Sequence, residues 1–104
     1  MSHKTRFGSE ATSELEDAVR WYEQRHVGLG LEFLAAVDNA VESIHRWPLT
    51  GTPVDSANTV DIRRIAISRF PYHLAYIITG EQVHVLAVAH DRRRPTYWHN
   101  RAAL

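Results

Sequence analysis

Three residue types in the C-terminal half of this chain could do chemistry together. His73 and His90 titrate near neutrality, so either could take a proton from a hydroxyl. Arg64, Arg92 and Arg93 could hold a phosphate through charge-assisted, forked hydrogen bonds. Tyr97 could return a proton to a leaving oxygen, or offer a ring on which a base stacks. Such a set suits metal-independent cleavage of RNA. The base would deprotonate the 2′-hydroxyl, the cations would stabilise charge on the phosphate, and the acid would protonate the 5′-oxygen.

Each residue also has a plain structural role open to it. A strand histidine such as His73 can simply hydrogen-bond a neighbour, and His90 can orient the loop that follows it. Arg92-Arg93-Arg94 can be a solvated loop, although three adjacent arginines concentrate positive potential. Tyr97 and Trp98 can pack on a sheet with one edge exposed, and Trp21 and Tyr22 read as core. The seven histidines do not suggest a metal. No His-x₃-His pair occurs, and His84 and His90 lie roughly 20 Å apart on one strand by its rise. No nucleophile turn and no glycine-rich phosphate loop is present, so no cofactor is expected.

These side chains must be positioned by a small scaffold. The 104 residues, 44% apolar and 23% charged, are one globular domain's worth, taken here as 1–104. With no cysteine there is no disulfide or thiolate site. No apolar run is long enough to span a bilayer, and the first ten residues, with His3, Lys4, Arg6 and Glu10, lack a signal-peptide pattern. A cytoplasmic location is therefore expected. Net charge is zero, but residues 1–61 carry five Lys/Arg against ten Asp/Glu, whereas residues 62–104 carry seven Arg against two acids. That asymmetry suits a polyanionic target or an acidic partner strip.

Periodicity supplies the elements. Residues 4–8 read as a short strand. Ser9 offers a helix N-cap, and Ala11, Leu15, Ala18 and Tyr22 form one helical face, widened by Val19 and Trp21, that ends near His26. Gly28 and Gly30 bracket a turn. A second helix is predicted from about Leu31 to Trp47, with the stripe Leu34, Val37, Val41 and Ile44 flanked by Phe33, Ala40 and Trp47; Pro48 stops it. Residues 48–60 read as loop. Strands follow over Ile62–Ser68, Tyr72–Thr79 and Gln82–Ala89, the last apolar enough to be covered on both faces. The fold class is α+β: a helical hairpin on one face of a small antiparallel sheet, in the order β-α-α-β-β-β with a short C-terminal tail. The face away from the helices, with Arg64, Ala66, Ser68, His73 and Ala75, is expected to be a shallow polar groove.

Nearly the whole chain resembles the RelE/ParE superfamily of type II toxin–antitoxin toxins. The likeness rests on Trp21-Tyr22, Gly28-Leu29-Gly30 with Phe33-Leu34, Pro48, Arg63-Arg64, Phe70-Pro71-Tyr72, Tyr76 and the stretch from Val85 to Trp98. It implies a prokaryotic plasmid-stabilisation or addiction toxin, growth-inhibiting when free and neutralised by a cognate antitoxin that folds on binding, in a hetero-oligomeric complex. It implies two possible targets. RelE-like members cleave mRNA in the ribosomal A site; ParE-like members inhibit DNA gyrase without cutting RNA. A nuclease of the first kind would use Arg64, His73, Arg92 and Tyr97, but its second basic residue is Ala66 here and an arginine is replaced by His73. The Arg-Arg-x-Pro-x-Tyr-Trp ending is more similar to the ParE branch. Arg63, Arg64, Arg92, Arg93, Arg94 and Trp98 are the expected contacts for target or antitoxin.

Overall fold

The computed structural model describes residues 4–54, 60–94 and 97–102. Pro95 and Thr96 of the C-terminal motif, and the end of the tail at Leu104, lie outside the described residues. The elements run β1 (Lys4–Phe7), α1 (Ser9–Arg25), α2 (Leu29–Arg46), β2 (Thr52–Pro53), β3 (Arg63–Ala66), β4 (Tyr72–Thr79) and β5 (Gln82–His90), then a 3-10 turn at His99–Ala102. The expected α+β class and order hold. Two helices pack on one face of a five-stranded sheet ordered β1-β5-β4-β3-β2.

The sheet is mixed rather than wholly antiparallel. β3, β4 and β5 form the expected meander, but β1 lies parallel to β5, Lys4 opposite Gln82 and Phe7 opposite Val85. Parallel neighbours need a long connection, and here it runs through both helices and the three strands β2–β4. The segment expected to be loop contributes an edge strand, β2, where Pro53 costs no ladder bond. A register shift at Ala75/Tyr76 sends Val83, Val85 and Val88 to the helical face and Leu86, Ala87 and Ala89 to the other.

The helical hairpin is set by backbone chemistry at its ends. Gly8, not Ser9, is the N-cap of α1, because the Gly8 N–H still bonds Val85 O at 3.0 Å and the chain turns as soon as it leaves the sheet. At the other end the Glu23 carboxylate accepts the Gly28 and Gly30 N–H groups, so α1 caps α2. Gly28 adopts φ 90°, a left-handed conformation that favours glycine. α2 therefore starts two residues earlier than periodicity suggests. On the inner side Tyr22 meets Phe33, Phe70 and Tyr72 with ring centroids 5.0–6.1 Å apart. Trp21 and Trp47, expected in or beside the core, are 47% and 66% exposed; Tyr22 and Ile44 hold the inward positions.

The expected polar groove on the second face is instead a second core. Trp98 and Ala102 from the C-terminal segment cluster there with Ile62, Ala75, Ile77, Leu86, Ala87 and Ala89. The apolar β5 needed cover on both faces, and the tail provides it.

The hairpin yields a stability test. A Cβ on Gly30 would lie 2.7 Å from the Val19 carbonyl oxygen, so the helices would have to part. Gly30→Ala is expected to lower stability by about 1–3 kcal/mol despite alanine's better helix propensity. Urea unfolding should show a lower midpoint at unchanged slope.

Candidate functional site

β4 and β5 bring one candidate pair together. His73 stands opposite Ala89, and two residues beyond Ala89 the chain places Asp91, whose N–H bonds Pro71 O at 2.8 Å. The His73 Nδ1 is 3.0 Å from Asp91 Oδ1. A neutral His73 donating from Nδ1–H would leave Nε2 as the acceptor, the arrangement of an oriented general base. Access is what it lacks. His73 is 2% exposed, and Nε2 is buried with no hydrogen-bond partner. Arg64 is exposed on β3, and Ala66, opposite His73, carries no charge to offer a phosphate.

Tyr97 is committed elsewhere. Its hydroxyl donates to Glu14 Oε2 at 2.8 Å, on α1. Burial, then the hydrogen bond and charge of Glu14, push its pKa up to about 12. It is therefore a poor proton donor to a leaving oxygen at neutral pH. Glu14 was not among the expected site residues, yet it organises this corner. Its other oxygen accepts the Val88 N–H at 3.0 Å and an Arg101 guanidinium N–H at 3.0 Å. Arg101 in turn donates to Leu86 O at 3.0 Å. The signal was an acid at the i+3 position from buried Ala11, on the flank of the sheet-facing stripe.

The remaining expected contacts divide cleanly. Arg63 is a staple: it donates to Leu49 O, Gly51 O and Asp61, at 3.1, 2.9 and 3.1 Å. Tyr76 completes that corner, accepting the Gly51 N–H and donating to Pro48 O, both at 2.9 Å. Trp98 is 0% exposed, so its indole packs inside rather than facing a partner. Arg92, Arg93 and Arg94 are exposed along the turn after β5. The turn is held by the Arg92 N–H on His90 Nδ1 and the Arg93 N–H on His90 O, which makes His90 a loop anchor. The Arg93 guanidinium stacks 4.1 Å from the Tyr97 ring centroid. The candidate nuclease set is thus not displayed together, since His73 is buried and Tyr97 is tied to Glu14, whereas Arg64 on β3 and Arg92–Arg94 after β5 are exposed. Among the described residues no cluster of three His, Cys, Asp or Glu could hold a metal ion, and no helix is long and apolar enough to cross a membrane.

The family model described as the ParE toxin of the type II toxin–antitoxin system, parDE, matches residues 6–95. The chain belongs to this family. It is a toxin of the RelE/ParE superfamily. Solved structures share its fold. The chromosomal ParDE system of P. aeruginosa matches with TM-score 0.66 at 14% identity, covering 85% of this chain and 95% of that one. The YoeB dimer of Staphylococcus aureus gives 0.58 at 13%, covering 84% and 94%. The toxin–antitoxin complex RelBE2 of Mycobacterium tuberculosis gives 0.59 at 25%, covering 86% and 99%. No curated protein matches the sequence.

The Glu14 corner predicts a pH effect. The folded-state pKa of Tyr97 lies above its ordinary value of 10, so its contribution is complete below pH 10 and is lost as pH rises through about 12. Tyr97→Phe is expected to be less stable than the parent at neutral pH, with the gap narrowing between pH 10 and 12. Denaturant titrations of both proteins across that range provide the check.

Proposed function

We propose that this toxin arrests growth by binding DNA gyrase rather than by cutting RNA, and that a cognate antitoxin restrains it. One observation carries the choice of target: the imidazole that would act as base is buried, and its free nitrogen has no access to a substrate. The tied Tyr97 hydroxyl and the uncharged Ala66 support the same reading. A binder needs no sealed proton relay. It needs a displayed surface, which Arg64, Arg92, Arg93 and Arg94 provide in the cationic half of the chain. The family description supports the toxin reading that both candidate targets share.

The restraining partner is an antitoxin with an acidic segment that orders on this surface, giving a hetero-oligomer in the cytoplasm. Two neighbours are described as a ParDE toxin–antitoxin system and a RelBE2 toxin–antitoxin complex, which supports a partner of this kind. The competing reading, ribosome-dependent RNA cleavage by Arg64, His73, Arg92 and Tyr97, requires the buried His73 and the tied Tyr97 hydroxyl to be released first.

Tightly controlled expression in a bacterium separates the two. Filamentation, an induced DNA-damage response and intact messenger RNA are expected. His73→Gln, which keeps the volume, is expected to remain toxic. Reversing Arg92, Arg93 and Arg94 together to glutamate should weaken gyrase binding by about tenfold or more. Messenger RNA cut in ribosomal A sites, with cutting lost in His73→Gln, would overturn the proposal.

A further inference from the structure

The helical hairpin buries one side against the sheet and keeps a groove of its own. An open cleft of about 600 Å³ is lined by Leu15, Glu16, Val19, Arg20 and Glu23 of α1 and by Leu34 of α2. Among the described residues no strand contributes to it. Its floor is apolar. Leu31, 70% exposed, lies one turn before Leu34 on the same face of α2 and extends that floor toward the hairpin turn. A packed neighbour would take this apolar surface out of water.

The charges at the rim decide what fits. Glu23 is committed to the Gly28 and Gly30 N–H groups. Glu16 makes no hydrogen bond or ion pair among the described residues. Arg20 has only Asp17, 3.3 Å away, and both side chains are more than half exposed, so that pair contributes little. Glu16 and Arg20 are one turn apart and so are neighbours on one face of α1. The acid lies nearer the start of the helix and the base nearer its end. A patch of this polarity is complementary to itself when turned end for end.

We propose that this groove receives α1 of a second copy of this chain, in a two-fold antiparallel pairing. One register sets Glu16 level with the partner's Arg20 and, by symmetry, Arg20 level with the partner's Glu16. In that register Glu23 falls level with the partner's Ser13, Glu10 with the partner's His26, Glu14 with the partner's Tyr22 and Asp17 with the partner's Val19. None of the five acids of α1 therefore stands level with another acid. Each α1 then lies as a ridge in the groove between the partner's two helices. The apolar floor supplies the affinity, and the two cross-pairs set the register. The contact is limited to helices of 17 and 18 residues, about 25 Å long, which places the dimer among small, weak interfaces.

Sedimentation of the full chain from about 1 to about 300 μM tests the pairing. The parent protein is expected to pass from monomer to dimer with a midpoint of about 100 μM. Glu16→Arg and Arg20→Glu alter exposed side chains, so each should keep the circular dichroism of the parent. Each should raise the midpoint about tenfold or more by setting like charges face to face. Mixed in equal amounts, the two variants should dimerise as the parent does, because every cross-pair is then opposite in charge. A parent that stays monomeric throughout, as it would if the groove served a different protein, overturns the proposal. So does a dimer that neither variant weakens, which would place the contact on another face. Two weakened variants that mixing does not restore overturn it as well.

Discussion

A half-covered strand governs this molecule. β1 is four residues long and β5 is nine, so the outer edge of β5 has backbone groups with no strand beside them. Unpaired groups beside a packed core cost about 1–3 kcal/mol each, so the chain must supply partners from elsewhere. Glu14 and Arg101 supply them, from a helix near the start and a turn near the end. Their side chains are only 18% and 17% exposed, so neither charge is comfortable alone. Each needs the other, and the ion pair therefore fastens the C-terminal segment to α1. The cover over the second face follows from that fastening.

The same constraint sorts the arginines. Seven fall in the last 43 residues of the sequence, residues 62–104, and by charge alone all could face a partner. Arg63 and Arg101 spend their donors inside the fold, on backbone carbonyls and on the carboxylates of Asp61 and Glu14, a use to which the five-donor fork is well suited. Arg69 reaches Glu32 across the sheet–helix boundary from a residue with φ 72°, where glycine would be the easier choice. What remains for recognition is a smaller and more localised cationic surface than composition suggests.

Legibility followed the range of the interactions. The helices and β4 were readable because their burial repeats within a few residues, as in Ala11, Leu15, Ala18 and Tyr22, and β4 begins and ends where its pattern does. The Gly28 turn was readable, but not its capping by Glu23, since a carboxylate on an exposed helix face looks like solvation until the second helix folds back. The parallel placement of β1 was not readable, because nothing local distinguishes it from an antiparallel edge. Trp21 and Tyr22 are adjacent, so period alone let both be core; the aromatic cluster with Phe33, Phe70 and Tyr72 has room for one. At the site, the burial of His73 was not readable, because the second face is covered by Trp98 and Ala102, from a segment whose packing has no period.

That cover bears on how one fold serves different targets. The three neighbours share the scaffold at 13–25% identity, and a scaffold by itself does not fix a target. The choice lies in what stands on the second face. Here Ala75, Ala87 and Ala89 are small, and a large indole clusters over them. A phosphate-cutting face needs cations projecting from those strands and room for a nucleotide between them. The alanines that accommodate the indole provide neither. Reaching nuclease chemistry from this sequence would take two coupled changes, cations on the strands and release of the tail. Each alone would be unfavourable: a charge under the indole would be buried without a partner, and a freed tail would expose an apolar sheet face. Under the gyrase-binding proposal, the packing that stabilises this small domain would also hold it away from the alternative chemistry.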